Sequence, residues 1–147
     1  MKDIYQLVQE HEINLEDFLN WQIEHRVSND FRGFAEQTAK AQDVFKYAAI
    51  LYPKFILIEN TVVLSDHYSE ENWAEWREKC GAKDTANIVN HVHIDDYLSS
   101  DYQATQAIEN GLGELLVFFW QLAVNHQFPE HHIVVEYDGN VINILNP

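Results

Sequence analysis

Apolar residues recur at helical spacing through the first third of the chain. Residues 34–52 carry a continuous apolar stripe and predict one long helix that Pro53 ends. The stripe consists of Phe34, Thr38, Ala41, Phe45, Ala48, Ala49 and Tyr52. Shorter helices are predicted over 3–11 and after Asn14, which stands where an N-cap residue is expected. Ser28-Asn29-Asp30 predicts a break followed by a second cap.

Two pairs of β-branched runs predict two β-hairpins. The turn of the first is Glu59-Asn60, and the turn of the second is Asp138-Gly139, which is a strong hairpin signal between alternating apolar residues. The predicted strands are 55–58, 61–64, 132–137 and 141–145. Because an isolated hairpin is marginally stable, we expect both to join in one antiparallel sheet of about four strands, packed against several helices. The prediction is an α+β fold in a single domain, 1–147.

Capping residues predict two further helices. Ser69 predicts the start of a helix that carries Trp73 and Trp76 and that Gly81 ends. Ser99-Ser100-Asp101 predicts the cap of a long helix that runs to about His126. Gly111 lies on the apolar stripe of that helix, where we expect it to allow close packing.

Charge is distributed unevenly along the chain. The 147 residues contain 24 acids and nine bases, for a net charge of −15. No lysine or arginine follows Lys83, while residues 84–147 contain nine acids and five of the eight histidines. Such a negative field repels nucleic acids and anionic membranes and attracts basic proteins.

The chain also lacks the usual signals for export or membrane insertion. Its first residues lack the apolar stretch of a signal peptide, and its longest apolar run, Leu115–Trp120, is far shorter than a membrane span. We therefore predict a cytoplasmic protein that binds neither nucleic acid nor membrane. Homo-oligomerisation is left open.

Aromatic side chains beside acids are the expected anchors for a basic partner. The candidate contact residues are Glu70, Glu71, Trp73, Trp76, Asp95, Asp96, Tyr97, Asp101 and Tyr102. For Trp73 and Trp76 an alternative interpretation is equally open. Both rings then pack on the sheet, and the neighbouring glutamates form a solvated face.

The segment 91–96 suggests a second possibility, a divalent metal site. On a strand, His91, His93 and Asp95 share one face, and these side chains are suitable ligands for zinc or iron. The competing interpretation is a hydrogen-bonding site that links a helix end to the next element. A pocket for a small ligand between sheet and helices is a third alternative. No nucleophile, phosphate-binding or zinc-protease motif is present, so catalysis is not favoured and no catalytic residue is assigned.

Two stretches carry a resemblance. Leu51-Tyr52-Pro53-Lys54-Phe55-Ile56 precedes the first hairpin, and Asn90-His91-Val92-His93-Ile94-Asp95-Asp96 follows the tryptophan-rich helix. Residues 47–98 thereby resemble a group of small acidic bacterial proteins of unknown function. Proteins of this kind are similar to immunity proteins encoded beside secreted toxins and to cargo of mobile elements. The resemblance implies no established activity and no catalytic residue, and the analogy with immunity proteins favours a basic protein partner that this chain neutralises.

Overall fold

The computed structural model describes residues 3–98 and 105–147, which form helices and two small sheets. The α-helices are α1 (Ile4–Glu10), α2 (Glu16–His25), α3 (Phe31–Thr38), α4 (Ala41–Leu51), α5 (Glu70–Cys80), α6 (Ala82–Val89) and α7 (Gln106–Gln127). The strands are β1 (Phe55–Ile58), β2 (Thr61–Leu64), β3 (His91–His93), β4 (Val134–Tyr137) and β5 (Val141–Leu145). Two short 3-10 helices are η1 (Ser65–His67) and η2 (Ile94–Tyr97). The predicted α+β class is confirmed.

Both predicted hairpins form, but they do not join in one four-stranded sheet. Strands β1 and β2 make a two-stranded antiparallel sheet, in which Glu59 and Asn60 adopt φ of 47° and 65° at the turn. Strands β4 and β5 pair around Gly139 (φ 101°). The short strand β3 adds to the other edge of β5, giving the order β3-β5-β4.

Two buried asparagines explain why the sheets stay separate. The side-chain oxygen of Asn90 accepts from Leu64 N at 2.9 Å, and its amide nitrogen donates to Val62 O at 2.8 Å and to Ile144 O at 3.3 Å. Asn146 Oδ1 accepts from Val62 N at 2.6 Å. Because these amides satisfy backbone groups of β2 that would otherwise need a strand, they replace the ladder between the two sheets.

Two glutamines of α7 form hydrogen bonds with backbone groups at the outer edges of the two sheets. Gln127 accepts from Phe55 N and donates to Pro53 O, both at 2.9 Å. Gln121 accepts from Val135 N and donates to Ile133 O, again at 2.9 Å. Unpaired strand edges template association with other chains, so this pairing protects both sheets.

The main core lies between α7 and the two sheets. Trp120, Leu116 and Ala123 of α7 are fully buried, and Trp120 Nε1 donates to Ile50 O at 2.8 Å. A Cβ at Gly111 would lie 2.5 Å from the Ile13 side chain, and at Gly113 a Cβ would lie 2.6 Å from the Tyr137 ring. The predicted packing role of Gly111 is therefore confirmed. A second, smaller cluster lies between β2, α5 and α6.

The N-terminal helices depart from the sequence prediction in two places. The single helix expected over 34–52 is two helices, because Ala39 and Lys40 are extended, with ψ of 138° and 151°. Asp43 restarts the helix by accepting from Lys40 N at 3.1 Å. Asn14 is not the cap of α2, which begins after Leu15 without a side-chain cap. The predicted caps at Asp30 and Ser69 are confirmed.

An aromatic cluster of its own joins α2 to α3. Phe18 stacks on Phe31 with ring centroids 3.9 Å apart, and Phe34 packs edge-on against Phe18 and Trp21. Trp21 Nε1 donates to Gln37 at 3.0 Å. None of these residues belongs to the two core clusters of the sheets.

Candidate functional site

Three of the predicted contact residues lie together on the single turn η2. The chain leaves β3 after His93, and Ile94 anchors the turn with a buried side chain and a 3.3 Å hydrogen bond from its N–H to Asn140 O. Asp95 and Asp96 are consequently exposed, while Tyr97 packs edge-on against Trp120 with ring centroids 5.9 Å apart. The turn thus presents two carboxylates beside one half-buried aromatic ring.

A third carboxylate acts on the same ring from η1. Burial, together with the negative charges of Asp66 and Asp96, raises the pKa of Tyr97 to about 12. Asp66 lies four residues before Glu70, the first acid of α5. Both Glu70 and Glu71 are exposed.

Tyr97 also forms one wall of an apolar groove between α4, η2 and α7. The groove has a volume of about 500 Å³. Its lining is Tyr47, Ile50, Leu51, Tyr97, Leu98, Leu112 and Leu115. An apolar groove whose Tyr97 wall feels the negative charges of Asp66 and Asp96 suits a segment that has apolar side chains on one side and positive charge on the other.

Most of the described acids of the second part of the chain lie away from lysine and arginine side chains. Among the described residues, the Lys and Arg ion pairs are Arg32–Glu36, Lys46–Asp43, Arg77–Glu59 and Lys79–Glu75. Glu114 pairs with His11 at 3.0 Å. Within that described part, seven other carboxylates have no lysine or arginine at ion-pair distance: Asp84, Asp95, Asp96, Glu109, Glu130, Glu136 and Asp138.

The causes of the pKa shifts also differ between carboxylates that have a lysine or arginine partner and those that do not. Hydrogen bonds from Arg77 and Lys79 lower the pKa of Glu59 and Glu75, respectively. The pKa of Asp138 is also lowered, but the main cause is the backbone N–H of Val141, followed by that of Asn140. Asp138 therefore remains charged without neutralisation by a lysine or arginine.

The two candidate tryptophans of α5 have different environments. Trp73 is only 5% exposed and packs in the smaller core cluster with Val63 and Val89. A partner cannot reach this ring in the structure. Trp73 instead packs against the strands, as the alternative to a partner-contact role expected. Trp76 is half-buried, and Lys79 Nζ lies 4.7 Å from its ring centroid.

The predicted metal ligands are only partly brought together. His91 and His93 share the exposed face of β3, with ring centroids 5.0 Å apart, opposite the buried Val92. Asp95 is not on that strand, because the strand ends at His93. Within 3–98 and 105–147, no group of three or more His, Cys, Asp or Glu side chains is arranged to hold a metal ion.

The remaining two candidates, Asp101 and Tyr102, lie outside the described residues. Sequence reasoning missed Asp66 and most of the groove. The lining residues of α4 and α7 are about 60 positions apart in the chain, so no local pattern brings them together.

Helix α7 is the one described helix long and apolar enough to cross a membrane, with a mean hydropathy of 1.2 over its apolar window. The helix has 22 residues, whereas the sequence analysis considered only the six-residue apolar run Leu115–Trp120 within it. In the structure this helix packs against both sheets through Trp120, Gln121 and Gln127.

Comparisons with protein-family models, with curated proteins and with solved structures gave no match.

Proposed function

We propose that this chain is a non-catalytic binding protein that docks a basic segment of another protein at η2 and the adjoining groove. The observation that carries the proposal is the exposed pair Asp95 and Asp96, which has no lysine or arginine partner within the described residues and directly precedes Tyr97, a wall of the apolar groove. A neutraliser of a basic toxin domain is the form of this function that the sequence resemblance implies.

The two parts of the site contribute differently to binding. The long-range negative field accelerates encounter with a positive partner, while each exposed ion pair contributes only about 0.2–1 kcal/mol. Apolar side chains that enter the groove beside Tyr97 and Leu115 contribute through desolvation, at about 25 cal/mol for each Å² buried. Both parts are needed for specific rather than merely electrostatic binding.

The test uses two synthetic peptides with equal positive charge. One places leucine at positions i, i+3, i+4 and i+7 among lysines so that it folds as an amphipathic helix, and the other has serine in place of leucine. We expect the leucine–lysine peptide to bind more tightly, as measured by fluorescence anisotropy. Asp95→Asn with Asp96→Asn should weaken its binding about threefold to tenfold.

A matched variant separates the site from net charge. Glu12→Gln with Glu24→Gln removes the same charge from two exposed positions, one in the turn after α1 and one on α2. We expect this control to change the dissociation constant by less than the η2 variant does. Equal weakening by both variants, or equal binding of both peptides, would contradict a docking site at η2.

A further inference from the structure

Helix α4 exposes the apolar stripe that the sequence predicts to be buried. Only its C-terminal end meets the core, where Ile50 and Leu51 pack against the main cluster. Phe45 is 77% exposed, and Val44 is 61% exposed. A large aromatic ring left in water on a well-formed helix indicates a surface that another molecule covers.

The geometry of this stripe favours a helix as the covering element. Ala41, Phe45, Ala48 and Tyr52 recur at intervals of four, three and four residues, so they lie on one face. Small alanine side chains beside one large ring let a second helix approach to within about 8–10 Å between axes.

We propose that the covering element is α4 of a second copy of this chain, packed antiparallel. With Phe45 opposite Ala48 of the second copy, Ala41 lies opposite Tyr52. In each of these pairs a large side chain meets a small one, and two-fold symmetry makes every pair occur twice. The stripe is therefore complementary to itself.

Charge favours the same occupant. The stripe contains no charged residue, and the only acid on α4, Asp43, is already paired with Lys46 at 3.2 Å. A basic partner finds no carboxylate there, whereas two copies meet at a part of the surface that lacks the acids of the rest of the chain. The stripe lies on a different face of α4 from Tyr47, Ile50 and Leu51, which line the groove of the η2 site.

The contact is small, which sets the expected affinity. An 11-residue helix is about 16 Å long, and one face of it buries less than the roughly 800 Å² per partner of a standard interface. We expect a reversible dimer with a dissociation constant on the order of 10 µM. Salt should strengthen it, because screening reduces repulsion between two chains of charge −15, whereas salt should weaken binding of a basic peptide at η2.

Sedimentation equilibrium over concentrations on both sides of that constant tests the proposal. We expect the mass to rise from 17.2 kDa toward twice that value. Phe45→Arg should raise the dissociation constant at least tenfold, and Ala48→Arg should do the same. Ile23→Arg is the matched control, since Ile23 on α2 is also 77% exposed, and it should leave dimerisation unchanged. Circular dichroism checks that each variant folds.

The proposal is overturned if the wild-type chain stays monomeric throughout, or if Ile23→Arg disrupts the dimer as much as Phe45→Arg does. Crosslinking tests the register in a Cys80→Ser background. A mixture of Phe45→Cys and Ala48→Cys copies should form disulfide-linked heterodimers faster than either variant alone forms homodimers. Faster homodimer formation by Phe45→Cys would contradict the antiparallel register.

Discussion

The N-terminal helices and the α/β body use their apolar residues in opposite ways. Of the 21 buried apolar side chains among the described residues, only Leu7, Phe18 and Trp21 precede residue 53. Of the 12 large apolar side chains that are exposed, eight lie in residues 4–52. The body therefore closes its own core, while the helices before it leave much of their apolar surface in water.

The two ends of the chain also differ in how their charges are paired. All nine lysines and arginines lie in residues 1–83, and the described ion pairs of lysine and arginine stay within that part. Residues 84–147 supply acids alone. Residues 1–83 have a net charge of −6 and pair part of their acids with lysine or arginine, whereas residues 84–147 have a net charge of −9 and no base. The two proposed contacts, self-association at α4 and basic-partner binding at η2, follow this division.

The largest expected effect comes from removing one tryptophan from each region. Trp120→Ala removes a fully buried ring and its hydrogen bond to Ile50 O, and should cost about 3–5 kcal/mol in the free energy of unfolding. Trp21→Ala should cost less in global unfolding and instead speed hydrogen exchange locally in α2 and α3. Urea denaturation followed by circular dichroism measures the first effect. Equal global costs for both variants would show that the two regions unfold as one unit.

Removing the Asn90 side chain, which links the two sheets, should cost nearly as much stability as removing Trp120. Asn90→Ala leaves the N–H of Leu64 and the carbonyl of Val62 with fewer buried partners, so we expect a loss of about 3 kcal/mol. Asn20→Ala, on the exposed surface of α2, should change stability by less than about 0.5 kcal/mol. Thermal and urea unfolding measure both variants. A neutral result at Asn90 would mean that the sheets do not depend on its side chain.

A smaller effect is expected at alkaline pH. The pKa of Tyr97 is raised to about 12 from the ordinary tyrosine value of 10.0, so its neutral form stabilises the folded state below pH 10. That contribution is lost as the pH rises from 10 through 12. Tyr97→Phe should therefore remove the tyrosine that ionises near pH 12 in an ultraviolet titration. Tyr47→Phe, which alters a ring that is 63% exposed, should leave that transition in place.

The smallest expected effect concerns zinc at β3. His91 and His93 supply two ligands, whereas protein zinc sites use three or four. Elemental analysis of untagged protein should find no stoichiometric zinc, and His91→Ala should change nothing. Stoichiometric metal that His91→Ala removes would favour the metal-binding alternative over the docking function.

Elements fixed by local chemistry were predictable from the sequence. The turns at Glu59-Asn60 and Asp138-Gly139 and the caps at Asp30 and Ser69 depend on residues within a few positions of each other. The strand predicted to start at His132 starts at Val134 instead, because His132 adopts a φ of 49°.

Features that depend on distant partners were not predictable. The separation of the two sheets rests on Asn90 and Asn146, whose bonds to β2 join residues up to 84 positions apart. The exposure of Phe45 depends on a helix break at Ala39 and on which end of α4 meets the core. At the site, sequence patterns identified the acids of η2 but not the groove, which α4 and α7 complete.

The most direct test of the docking function is the association rate of the leucine–lysine peptide with the wild-type chain as ionic strength rises. Stopped-flow fluorescence of labelled peptide measures this rate. We expect the rate to fall steeply with added salt, and to fall less steeply for Asp95→Asn with Asp96→Asn. A rate that does not change with salt, or the same slope for the wild-type chain and the variant, would contradict a role for these uncompensated carboxylates in attracting a positive partner.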